Sequence, residues 1–154
     1  MKIKLLAIGK TDDKNLQTLI ETYQNRLKHY INFELEIIAD IKNVKNLSEV
    51  QQKEKEGELI LSKLTPTDQL ILLDEKGKEL SSPEVAKFLQ QRANEGNKNV
   101  VFFIGGAFGV DARILKRANF TWSLSKLVFP HQLVRLILTE QLYRAATILR
   151  NEKY

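Results

Sequence analysis

Residues 100–144 read VVFFIGGAFGVDARILKRANFTWSLSKLVFPHQLVRLILTEQLYR, and this stretch decides the fold. Five consecutive apolar residues, Val100 to Ile104, form the pattern of a strand buried on both faces, as strands of parallel sheets are. The run stops at Gly105-Gly106, with Gly109 three residues on. Glycines at the carboxyl end of such a strand let the backbone turn tightly, or approach a ligand where a Cβ would clash. Open α/β sheets keep their ligand crevice at that end of their strands. A second irregular segment, Phe120 to Pro130, holds two short apolar pieces hinged at Ser123-Leu124-Ser125-Lys126, and Pro130 opens the last helix. Two irregular loops and a helix start therefore converge on one candidate site, and the chain before them reads as scaffold.

Outward from this stretch, strands and helices alternate. Lys2 to Ile8 is a first strand closed by Gly9, and Asp12 or Asp13 caps a helix reaching about His29, with Leu16, Leu19, Ile20, Tyr23 and Leu27 at helical spacing. Phe33 to Ala39 is a second strand, and the polar stretch Asp40–Asn46 is a candidate mobile loop. Ser48 with Gln51 makes a capping box for a helix to about Leu64, which Thr65-Pro66 ends. Gln69 to Leu73 is a buried strand ending at the turn Asp74–Lys78, and Ser82-Pro83 starts a helix stopped at Glu95-Gly96. After Val100–Ile104 come a short helix from about Asp111 to Arg117, the hinge segment, and a final helix from about His131 to Arg150. The alternation predicts an α/β fold, a mostly parallel sheet with helices on both faces, in a single domain spanning 1–154.

Composition narrows the function classes. The 154 residues suffice for one real core, and 43% hydrophobic with 28% charged residues is ordinary for a globular chain. No apolar run approaches the roughly 18 residues of a membrane helix, so no membrane partner is expected. The start MKIKLLAIGK is too short in its apolar part for a signal peptide and reads as the first strand. Cysteine is absent, which removes disulfide and thiolate chemistry. His29 and His131 lie far apart with no carboxylate cluster beside them, so no metal site is expected. The formal charge of +5 favours an anionic partner such as RNA.

The glycine loop is neither G-x-G-x-x-G nor a P-loop, which disfavours a phosphate cradle. The segment Ser123–Pro130 suits a flat ring in an apolar slot with a few directed hydrogen bonds, as adenine requires. The final helix is apolar on more than one face, which predicts burial on two sides, the second by a two-fold mate. His131 occupies its first turn, Arg135 one turn on is placed to hold a phosphate or pair with an acid, and Glu140 and Arg144 are spaced to pair.

Taken together, IGGAFG, WSLSKLVFPHQLVRLILTEQLYRA and a terminal Asn-x-x-Tyr resemble the ribosomal RNA large subunit methyltransferase H family, the YbeA-like proteins of the SPOUT superfamily. MKIKLLAIGK, KEGELIL and LLDEKGKELSS are similar to it as well, so the resemblance spans the chain. It implies a C-terminal trefoil knot threaded near the hinge segment, a cytoplasmic homodimer, and S-adenosylmethionine as cofactor. By position, the cofactor contacts it implies are Leu73, Gly105, Leu124, Ser125, Lys126, Leu127, Val128 and Phe129. The implied reaction is methylation at N3 of a pseudouridine in 23S rRNA on the assembled 70S ribosome. His131 and Tyr154 are the candidate catalytic residues. Arg135, Arg144 and the lysines of the Asp40–Lys55 region are the candidate RNA-holding cations. Two departures stand out: Ala107-Phe108 replaces the polar or acidic residues common in that loop, and family chains commonly continue past Tyr154 with a histidine and a basic residue. Two alternatives stay open, a SPOUT enzyme with another RNA target such as tRNA, and a ribosome-binding assembly factor without turnover.

Overall fold

A computed structural model of the chain describes every residue except Asn43 and Ala107, so the parts of the predicted loops 40–46 and 105–109 that fall on those two lie outside the described residues. Among the described residues the order is β1 (Lys2–Ile8), α1 (Lys14–Leu27), β2 (Asn32–Ile38), α2 (Glu49–Ser62), β3 (Gln69–Glu79), α3 (Ser82–Asn94), β4 (Asn99–Ile104), α4 (Ala112–Arg117), β5 (Phe120–Ser123) and α5 (His131–Leu149). A short 3-10 turn, Val44–Asn46, precedes α2.

The strands form one sheet in the order β2-β1-β4-β3-β5, and every pairing is parallel. Side chains alternate across a strand, so the sheet divides the core in two. Ile3, Leu5, Val100, Phe102, Ile104 and Ile71 face α1, α3 and α5, from which Leu27, Leu89, Leu138 and Leu142 meet them. Leu6, Ile8, Leu70, Leu72, Val101 and Phe103 face the other way, toward Ile60 of α2 and Ile114 of α4. Helices thus cover both faces, and the central strands carry apolar residues at nearly every position for that reason.

Local chemistry fixes the helix starts. Asp13 accepts from the amides of Asn15 and Leu16, and complete capping boxes pair Ser48 with Gln51 and Ser81 with Glu84. The cap of α3 is therefore Ser81, one residue before the expected Ser82. A larger correction concerns β3. The expected turn at Asp74–Lys78 is instead an excursion inside a longer strand, and pairing with β5 resumes at Lys78 and Glu79 after a register shift. The excursion lies flat on β5: a Cβ on Gly77 would come within 2.5 Å of the Thr121 carbonyl oxygen. A turn-rich composition and a bulged strand look alike in sequence.

Candidate functional site

The excursion within β3 and the carboxyl ends of β4 and β5 open into one cleft of about 370 Å³. Its walls are Leu73 to Lys76, the glycine loop after Ile104, and the segment that follows Trp122, with His131 and Val134 of α5 closing one side. A cleft of this size is in the range of small-molecule sites.

Each wall has a local cause. In the β5–α5 connection, Ser123 Oγ donates to the Ser125 carbonyl at 2.9 Å, and Ser125 Oγ accepts from the Leu127 amide at 3.0 Å. These two hydroxyls turn the chain so that Leu127 and Val128 stand out at the cleft, Val128 with 79% of its surface exposed. In the glycine loop, the Gly109 amide donates to the Gly106 carbonyl at 3.2 Å, and Gly109 takes a left-handed φ of +85°. At the excursion within β3, Asp74 Oδ1 accepts from the Lys76 amide at 2.8 Å and bends the chain beside the opening.

The structure brings most of the expected cofactor contacts together. Leu73, Gly105, Leu124, Ser125, Leu127, Val128 and Phe129 all line the cleft, as does His131. Lys126 does not: its side chain is 89% exposed and reaches Glu79 at 4.0 Å.

The expected RNA-holding and catalytic residues are more scattered. Arg135 is a correction. It is 1% exposed, and its guanidinium donates to the carbonyls of Gly9 and Ile8 at 2.8 Å each and to Thr11 Oγ1 at 3.0 Å. Burial also pushes its pKa down, against the pull of Asp12 and Asp40. A guanidinium held this way clamps α5 to the end of β1 and does not meet a phosphate. Gln132 and Asp12 join the two elements at the surface beside it. Arg144 is half-exposed and pairs with Glu140 at 2.8 Å, as its spacing predicts.

Tyr154 is not brought to the cleft. Its hydroxyl lies on Tyr23 and Glu140, at 3.2 and 3.3 Å, and its ring meets Tyr143 edge-on at 5.4 Å. Nine residues of helix separate His131 from Glu140, about 13 Å of rise. Burial, the bond to Tyr23 and the charge of Glu140 all raise the Tyr154 pKa, which opposes a role as base.

Sequence reasoning missed two features. Trp122, at the end of β5, lines the cleft with 3% of its surface exposed, and its Nε1–H has no acceptor among the described residues. As the chain's single tryptophan, one residue before the hinge serines, it offered a signal. Asp74 and Glu75 were hidden by the turn assigned to them. Among the described residues no three His, Cys, Asp or Glu side chains gather to hold a metal ion, and no helix is long and apolar enough to cross a membrane.

Comparison with known proteins then fixes the lineage. The family model described as "Predicted SPOUT methyltransferase" matches residues 1–154. The chain belongs to the SPOUT methyltransferase family. Among curated relatives, the ribosomal RNA large subunit methyltransferases H of Flavobacterium psychrophilum and Flavobacterium johnsoniae are each 64% identical over 154 residues. That of Bacteroides thetaiotaomicron is 47% identical, and in all three cases the match covers 100% of this chain and 98% of the relative. Membership in the SPOUT family implies a knotted α/β fold, and the parallel sheet with helices on both faces agrees with its α/β class.

Proposed function

We propose that this chain methylates N3 of a pseudouridine in 23S rRNA on the assembled ribosome, with S-adenosylmethionine as methyl donor, as a cytoplasmic homodimer in which residues 1–154 act as one domain. The observation that carries this reading is the cleft formed by Leu73–Lys76 of β3 and the ends of β4 and β5, lined by His131 together with the glycine loop and the Ser123–Pro130 segment. The relatives' shared name supports the rRNA target.

The donor set fits the cofactor. Leu124, Leu127 and Val128 offer apolar contact for a base ring, Trp122 Nε1 is an unpaired donor in the wall, and Asp74 and Glu75 offer negative charge toward a cation. When bound, the cofactor supplies an already activated methyl group. The protein's own residues have to hold the target base at the rim and take its imide proton, and His131, which lines the cleft, is the side chain proposed for the second task. Reaching that base edge requires a nucleotide splayed from its helix. Arg144 and the lysines between Asp40 and Lys55 are the cations proposed to hold the flanking backbone. A second copy of the chain would cover Leu133, Leu136 and Ile137, which α5 leaves half-buried. The threaded trefoil segment is proposed to be Phe120–Pro130.

The test is methyl transfer from labelled cofactor to intact ribosomes, free rRNA and bulk tRNA, with the product nucleoside identified. N3-methylpseudouridine from ribosomes alone is the expected result. Transfer to tRNA instead would reassign the target, and binding without transfer to any of them would favour a ribosome-binding factor.

A further inference from the structure

Glu56 stands behind the glycine loop. It is buried on α2, 7% exposed, on the face of the sheet opposite α5. A Cβ built on Gly106 would lie 3.1 Å from both of its carboxyl oxygens. Gly106 is not among the glycines with positive φ, so the missing side chain makes room for the carboxyl rather than for an unusual backbone angle. The next residue, Gly57, is packed as closely on Asp111, with a Cβ there 2.9 Å from Asp111 Oδ2. One step of α2 is therefore wedged at once against the cleft wall and against the start of α4.

We propose that Glu56 is a positioning residue for cofactor binding, its carboxyl group acting as the wedge that fixes Gly105 and Gly106 at the wall of the cleft. The inference rests on the reading that the cofactor binds at that loop. A side chain touching the back of a binding loop sets its distance to the ligand, and misplacement by about 1 Å is enough to weaken a site severely.

The charge around the wedge makes the device pH-dependent. Burial pushes the Glu56 carboxyl above the usual range, Asp40 from the end of β2 adds to this, and a hydrogen bond with Gln52 opposes it. From α4, Asp111 approaches Gly57, but Arg113 pairs with it at 2.6 Å and also donates to the Glu54 carbonyl. On α2 itself Lys53, Glu54, Lys55 and Glu58 flank the position, and Arg135 counters Asp40 from α5. The neutral acid fits this wedge; ionisation sets it against Asp40 and favours its withdrawal toward water.

The experiment is titration of S-adenosylmethionine into the intact protein from about pH 5 to about pH 8, for the native chain, Glu56→Gln and Glu56→Ala, read by calorimetry. Glu56→Gln keeps shape and stays neutral. The native affinity should fall relative to Glu56→Gln as pH rises, and the ratio of the two cancels every other titrating group. Glu56→Ala should bind roughly tenfold more weakly than Glu56→Gln at each pH, with circular dichroism unchanged. A native-to-Gln ratio independent of pH, or an Ala variant that binds like Glu56→Gln, overturns the proposal. No binding by the native chain at any pH would instead remove the cofactor reading, and this inference with it.

Discussion

Nη2 of Arg135 donates to the carbonyl oxygen of Ile8 at 2.8 Å, tying the first turns of the last helix to the end of the first strand. Together with the bonds to Gly9 and Thr11, this makes Arg135 a structural clamp whose removal strands two buried carbonyls. Arg135→Met should therefore cost about 3 kcal/mol of stability, through the buried acceptors left without a donor. In a domain of this size that lowers Tm by roughly 6–12 °C. Thermal unfolding followed by circular dichroism measures it. A variant as stable as the native chain, with RNA binding alone weakened, would return Arg135 to the RNA-contacting set.

Gly105 has almost no room in front of it. A Cβ there would sit 2.7 Å from Val110 Cγ1, and any larger side chain must enter the cleft or displace Val110. Gly105→Leu should abolish cofactor binding while leaving the fold and the subunit stoichiometry unchanged. Light scattering checks the second part, and unchanged affinity would take the loop out of the site.

Ser125 orders the cleft wall through one hydroxyl. Ser125→Ala removes the acceptor for the Leu127 amide, and loss of one such bond is worth about 1 kcal/mol. Cofactor affinity should drop by roughly fivefold with little change in Tm. Trp122 reports it directly, because the only indole of the chain lines this cleft and its emission should change on binding.

Glu36 on β2 sits between Lys4 and Lys63, at 3.2 and 3.1 Å. Burial alone would push its carboxyl up, but the bonds from Lys63 and Lys4 outweigh it and hold the pKa below the ordinary value. A depressed folded pKa means stability that is present above the unfolded value and lost as pH falls through the folded one. The urea midpoint should thus fall between about pH 5 and pH 3, and fall less in Glu36→Gln. Parallel curves for the two proteins would show that the two lysines contribute nothing there.

Much of the scaffold was legible because its signals are local. The apolar run Val100–Ile104 demands a doubly buried strand, and Ser48 with Gln51 writes a helix start into four residues. The cleft's glycines and serines were legible for the same reason, as the sharp turns they permit are properties of the backbone nearby. What escaped was everything decided at a distance. Asp74–Lys78 is a strand excursion because Thr121 lies against Gly77, and Arg135 is a clamp because the end of β1 lies beneath it. Neither neighbour is within forty residues in the sequence. Tyr154 was assigned by resemblance, and only the length of α5 shows how far it stands from His131.

The strand order has a bearing on how the molecule comes into being. β1 holds β2 on one side, β3 holds β5 on the other, and only β4 touches both halves. Until residues 99–104 have left the synthesising ribosome, the nascent chain consists of separate pieces, with the inner edges of β1 and β3 bare. Closure of the sheet must then wait on a contact that spans almost a hundred residues, the slow kind of pairing. Only the β3 wall of the cleft, Leu73 to Lys76, precedes that keystone; the glycine loop, the hinge segment and His131 emerge after it, so a methyl donor has no pocket to occupy until the chain is nearly finished.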